Sequence, residues 1–239
     1  MIHVRHDKLT INIIIKECRV MTRVGIIGAS GMAGSAIYKL AAVQPKLDVT
    51  GIVRHEKRAR ELLGSDAKLL TGDVFALTDS LLARFDVIVD AYGTSPAQAD
   101  RQTKLAQKLV NLARKEKIRL IFILGAGSLK TGADQHLFLD EIAQIPGAED
   151  WINTPRQQVK ELRYLETVTD VDWVGISPSA SFEPGAAAAF VVGRDQLLFN
   201  AEQKSVVTTG TVAKVVVDEI LAPKHHQERL TVVNTTDQP

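Results

Sequence analysis

Short stretches rich in apolar residues recur along the first three-quarters of the chain, separated by segments of helical periodicity. Val24, Ile26 and Ile27 make the first stretch, and 48–53, 67–70, 86–91, 118–124 and 171–176 give five more. They read as near-continuous runs rather than alternating ones, which predicts strands buried on both faces of a parallel sheet. Between them, apolar residues at helical spacing predict helices over 36–43, 56–63, 78–84, 96–117 and 154–167. In the longest of these, Leu105, Leu109, Leu112 and Ala113 share one face. Strand and helix alternate without break, so the expected fold is α/β, a doubly wound parallel sheet with helices on both faces. Ligand is expected beyond the carboxyl ends of the strands.

After Ser177 the rhythm changes. Pro178, Pro184, Gly185 and the alanines at 186–189 predict a surface or cleft-wall segment. Residues 196–199 and 205–207 flank a polar turn and predict a hairpin. A helix over 211–221 and a last strand over 230–233 follow. Residues 21–239 therefore read as a single domain with a small C-terminal substrate lobe at about 178–210. Residues 1–20 fit no element of this scheme. Their apolar part is too short and interrupted for a signal peptide, and the expectation is a loose arm or an extension before a start at Met21.

Composition narrows the function classes. The 239 residues carry a net charge of +1, which gives no broad electrostatic footprint for nucleic acid or an acidic membrane. No apolar run approaches the length of a membrane span. The one cysteine, Cys18, excludes an intramolecular disulfide and a cysteine-rich metal site. It fits a reducing cytoplasm. The six histidines show no metal-ligand spacing, so no metal is expected.

The sharpest chemical signal lies between the first strand and the first helix. Gly28, Gly31 and Gly34 follow the strand at spacing G-x-x-G-x-x-G. Strand, glycine turn and helix in that order bring free helix N–H groups and the positive dipole end to one point, which suits a pyrophosphate. Gly28 permits the tight turn, Gly31 the close approach of the ligand, and Gly34 the contact of helix with strand. Ser30 adds a hydroxyl donor, and Met32 lies in the same turn. The fold is thus Rossmann-like. Arg54 directly follows the second strand, where such folds face the adenosine ribose. An arginine there offers a planar fork to a 2′-phosphate, with Lys57 and Arg58 adding positive potential; otherwise these residues form a solvated basic patch. NADP(H) is therefore the preferred cofactor and NAD(H) the secondary one.

Other candidates sit at later strand ends. Asp73 and Val74 close the third strand, where the carboxylate accepts from an adenine amino group or serves as a turn aspartate. Ala91, Tyr92 and Gly93 close the fourth, with small residues that admit a ribose or nicotinamide. Tyr92 is a stacking partner or a half-buried aromatic. Ser128, after the fifth strand, is expected to point at the cleft centre, unless it is turn chemistry. Lys160 is either a ligand of the nicotinamide ribose or a solvated lysine. Glu183 and Asp195 are further cleft carboxylates or surface charges.

Taken together, the glycine triplet, Gly72-Asp73-Val74, Asp90-Ala91-Tyr92-Gly93, Gly127-Ser128-Leu129 and the run Ser177-Pro178-Ser179-Ala180-Ser181-Phe182-Glu183-Pro184-Gly185 resemble the atypical short-chain dehydrogenase/reductases. The nearest group looks like the bacterial NAD(P)H-binding proteins known as NADH-flavin reductases, which are similar to flavin/biliverdin reductase. The resemblance covers about 22–233. It implies that Pro178 lies beside the nicotinamide and that Ser128 and Lys160 orient that end. One departure stands out. The wider superfamily uses Tyr-x-x-x-Lys, but the residue four before Lys160 is Arg156, and Tyr164 follows the lysine instead. A guanidinium does not donate a proton at neutral pH. What the resemblance then implies is an NAD(P)H-dependent oxidoreductase passing hydride to a flavin, quinone or similar planar small-molecule acceptor. FMN or FAD would be substrate rather than bound prosthetic group. The alternatives are a non-catalytic NADP(H)-binding redox sensor and an NAD(P)-dependent sugar epimerase or dehydratase. A monomer or homodimer in the cytoplasm is expected, with no nucleic-acid or membrane partner.

Overall fold

Val24 and Ile26 are fully buried because β1 (Thr22–Ile27) runs through the middle of the sheet. The computed structural model describes residues 21–235, so the expected arm at 1–20 lies outside the described residues. The chain continues through α1 (Met32–Ala42), β2 (Leu47–Val53), α2 (Glu56–Leu63), β3 (Leu69–Thr71), α3 (Asp79–Leu82) and β4 (Val87–Asp90). Next come α4 (Asp100–Glu116), β5 (Arg119–Ile123), a hairpin of β6 (Lys130–Thr131) and β7 (His136–Leu137), α5 (Phe138–Ile142) and α6 (Asn153–Glu166). The last part holds β8 (Trp173–Pro178), β9 (Ser181–Glu183), β10 (Phe190–Gly193), β11 (Val206–Thr208), α7 (Thr209–Leu221) and β12 (Glu228–Asn234).

Eight strands form the main sheet in the order β10-β12-β8-β5-β4-β1-β2-β3. All pairings are parallel except that of β10 with β12 at the edge. The order reverses between β1 and β4, which leaves a crevice at their carboxyl ends. Helices cover both faces. Ile37 and Ala41 of α1 pack with Val212 and Val216 of α7 on one side. Leu105 and Leu109 of α4 pack with Leu162 and Leu165 of α6 on the other. The doubly wound α/β architecture is the one expected.

Several local expectations need correction. The segment 96–117 is not one helix: a 3-10 turn at Pro96–Gln98 precedes α4, and Lys117 closes α4 in the left-handed region at φ 56. The hairpin of 196–199 with 205–207 does not form. Asn200 does close a turn, its N–H donating to the Lys204 carbonyl at 2.8 Å. The two arms then diverge: the Leu197 N–H donates to Lys130, while β11 pairs in parallel with β9. Of the expected lobe at 178–210, β10 joins the main sheet and β9 with β11 forms a separate two-stranded ladder. An unforeseen insertion spans 130–152. It has a small core of its own, in which Ile142, Ala148 and Ile152 are buried with Phe138 and Leu139 packed against them.

Candidate functional site

A cleft of about 450 Å³ opens along the carboxyl ends of the strands, from β3 to β8. Its centre is the glycine turn. Gly28 adopts φ +72, and a Cβ there would stand 2.4 Å from the Ala91 carbonyl oxygen. Only glycine meets both demands. The Gly31 N–H donates to the Gly28 carbonyl at 2.8 Å, closing the turn. A Cβ on Gly34 would stand 2.2 Å from that same carbonyl oxygen, so Gly34 sets how closely α1 approaches the turn. No side chain caps α1 and its first turn carries no carboxylate. Its opening amides and positive dipole end are therefore available to an anion.

Gly28, Ser30, Gly31, Met32, Arg54, Asp73, Val74, Ala91, Tyr92, Gly93 and Pro178 all line this cleft. Gly34 lies behind the turn. Toward β2, Arg54 and Arg58 give one end a cationic wall, with His55 between them. Asp73 beside it is engaged: its carboxylate accepts from the Phe75 amide at 3.0 Å and from Arg101 at 2.9 Å. Those two donors, the amide foremost, hold its carboxyl below the usual range. At the opposite end, toward β5 and β8, the walls are Ile123, Leu124, Pro178 and Phe182, with Thr154 and Gln158 of α6.

Ser128 and Lys160 are not brought into the lining, contrary to the expected orientation. Ser128 is buried, and its hydroxyl accepts from Arg229 at 3.0 Å. Arg229 also donates to Asp195 at 2.7 Å, so neither residue faces the cleft centre. The arginine is itself buried and requires acceptors, which draws both side chains away. Lys160 is exposed on α6. Tyr164 packs at the margin of the α4 and α6 core. Glu183 accepts from the Ser181 hydroxyl beside it.

One lining residue not anticipated from sequence carries information. Gln102 of α4 is buried, and its Oε1 has no hydrogen-bond partner, like the Tyr92 hydroxyl. Buried polar atoms without partners are rare in native folds; here both belong to residues facing a cleft, where a ligand's polar groups would satisfy them. The glycine cradle, the cationic wall and these orphaned atoms together fit a nicotinamide dinucleotide. In sequence, Gln102 sits one turn before Leu105 on the face that continues as the apolar stripe of Leu109 and Leu112, and a polar residue there is the signal that marks it. Beneath the cleft floor lie two further buried carboxyls, Asp90 at the end of β4 and Glu161 on α6. The Tyr92 amide donates to Asp90 at 2.9 Å. Burial pushes Asp90 up to about 7, and burial together with the Asp90 charge pushes Glu161 up as well. Among the described residues, no group of three His, Cys, Asp or Glu is placed to hold a metal, and no helix is long and apolar enough to cross a membrane.

Comparison with known proteins places this geometry. The model of the NAD(P)H-binding family matches residues 28–235. The YwnB protein of Bacillus subtilis is 32% identical over 218 residues, covering 90% of this chain and all of YwnB. A crystal structure of a Lactobacillus casei protein superposes with a TM-score of 0.82 at 31% identity, covering 90% of this chain and 100% of that one. A candidate NADH-flavin reductase from Streptococcus pneumoniae superposes at 0.78 with 25% identity, covering 89% and 99%. With the glycine cradle at the switch point and a family match over nearly all the described fold, the chain belongs to the NAD(P)H-binding family.

Proposed function

We propose that the chain is an NADPH-dependent reductase of a small planar acceptor. The observation that carries this reading is one continuous cleft with a cationic end, a glycine cradle and an apolar end. The amides around Gly28, Gly31 and Met32, with the Ser30 hydroxyl, hold the pyrophosphate. Arg54 and Arg58 meet the 2′-phosphate, and Asp73 and Val74 flank the adenine. Ile123, Leu124, Pro178 and Phe182 wall the nicotinamide end and exclude water from it. When bound there, NADPH supplies a hydride, which with one proton from solvent reduces the acceptor and leaves NADP⁺. Ser128 and Lys160, turned elsewhere, take no part in this reading. The name given to the Streptococcus pneumoniae relative supports a reductase of this kind, with a flavin or quinone as acceptor.

A non-catalytic NADP(H) sensor is the second reading, favoured by the absence of Lys160 and Tyr164 from the cleft lining. Absorbance at 340 nm separates the two. Purified protein given NADPH and an acceptor panel consumes NADPH catalytically under the first reading. Tight binding by calorimetry with no turnover for any acceptor supports the second.

A further inference from the structure

A second cavity of about 340 Å³ adjoins the apolar end of the cleft. The two share Thr154 and Gln158, and Ala180 of the second lies between Pro178 and Phe182 of the first. The unforeseen insertion builds its outer wall from Phe138, Ile142, Ile145 and Trp151, with Pro155 of α6 below. Trp151 and Ile145 are large, apolar and 40% and 46% exposed, although the insertion has a core in which to bury them. No charged side chain lines this annex.

Its surroundings are net acidic. From 130 to 156 the chain has five carboxylates, Asp134, Asp140, Glu141, Glu149 and Asp150, against Lys130 and Arg156, with His136 bridging Asp134 and Glu141. The opposite end of the cleft has Arg54, Lys57 and Arg58. The cleft is therefore polarised along its length, cationic where a 2′-phosphate would lie and anionic around the annex. A phosphate- or carboxylate-bearing acceptor would enter against that field and find no cation in the lining to pair with.

We infer that the annex is the acceptor site and that it takes an uncharged planar ring, such as a two-ring quinone or an unphosphorylated flavin, stacked on Trp151 and Phe138. This rests on the reductase reading and narrows its acceptor class. The substrate wall is thereby the 130–152 insertion rather than the 178–210 segment alone.

Riboflavin and FMN differ by one phosphate and make the direct comparison, with menadione as an uncharged quinone. Steady-state rates with NADPH should give kcat/KM at least about tenfold higher for riboflavin than for FMN. Ile145→Lys should narrow that ratio by raising the FMN value. Binding is read independently of turnover, because Trp173 is fully buried in the core and Trp151 faces the annex. Menadione should quench tryptophan emission of the NADP⁺ complex, and Trp151→Phe should abolish the quenching while leaving NADP⁺ affinity intact. FMN used as well as riboflavin would overturn the charge argument and leave the reductase reading standing. Quenching that persists unchanged in Trp151→Phe would overturn the location. Quenching through Trp151 with no turnover for any acceptor would keep the ring site and remove the reductase reading.

Discussion

Asp90 and Glu161 make the stability of this fold depend on pH in an unusual direction. Burial raises Asp90 from an ordinary 3.8 to about 7, a shift of about 3 pH units, each worth about 1.4 kcal/mol. A carboxyl raised in the folded state contributes fully below its unfolded value. That contribution is lost as pH climbs from about 4 to about 7. The loss reaches about 4 kcal/mol at most, a large share of a typical domain's stability. Asp90→Asn keeps the volume and the acceptor for the Tyr92 amide but cannot ionise. Urea unfolding at pH 4, 5.5, 7 and 8.5 should show the two proteins nearly equal at the acid end. The variant should gain up to about 1.4 kcal/mol per pH unit through the middle and level off above pH 7. Glu161→Gln should shift stability in the same direction, and the double variant should fall short of the sum because the two carboxyls repel each other. A stability difference that does not change with pH would refute the buried-pair argument.

Three further outcomes follow from the site. Arg54→Ala should weaken NADPH binding by about 10- to 100-fold, the value of charge-assisted hydrogen bonds, while leaving NADH affinity unchanged; calorimetry with both cofactors checks this. Gly34→Ala places a Cβ 2.2 Å from the Gly28 carbonyl oxygen, and the forced separation should cost about 1–3 kcal/mol and most of the dinucleotide affinity, measured by denaturation and titration. Ser128→Ala removes an acceptor from buried Arg229, so chemical denaturation should show a loss of about 1–3 kcal/mol; a fall in kcat without a fall in stability would return Ser128 to the reaction.

What the sequence made legible was whatever depends on near neighbours. Val24, Ile26 and Ile27 followed by three spaced glycines identify strand, turn and helix because the backbone demands are local. The side chains lining the glycine end of the cleft follow from their position after a strand. Ser128 is different. Its place after β5 is readable, but its hydroxyl is claimed by Arg229, which stands 101 residues further on. The insertion escaped notice because β6 and β7 are two residues each, too short for any periodicity to register. β10 has strand-forming residues in Phe190, Val191 and Val192, but at four residues directly after the alanine run it is too short to stand out, and pairing with β12 fixes it.

The packing of α7 on α1 couples two parts of the fold that are far apart in the chain. Ile37 and Ala41 hold the helix that opens at the phosphate cradle, and their cover comes from Val212 and Val216. During synthesis the glycine cradle is made well before the surface that steadies its helix. A nascent chain halted before Thr209 keeps the entire glycine signature but leaves that helix facing water. Such long-range closure slows folding, so coenzyme capture should await the synthesis of α7.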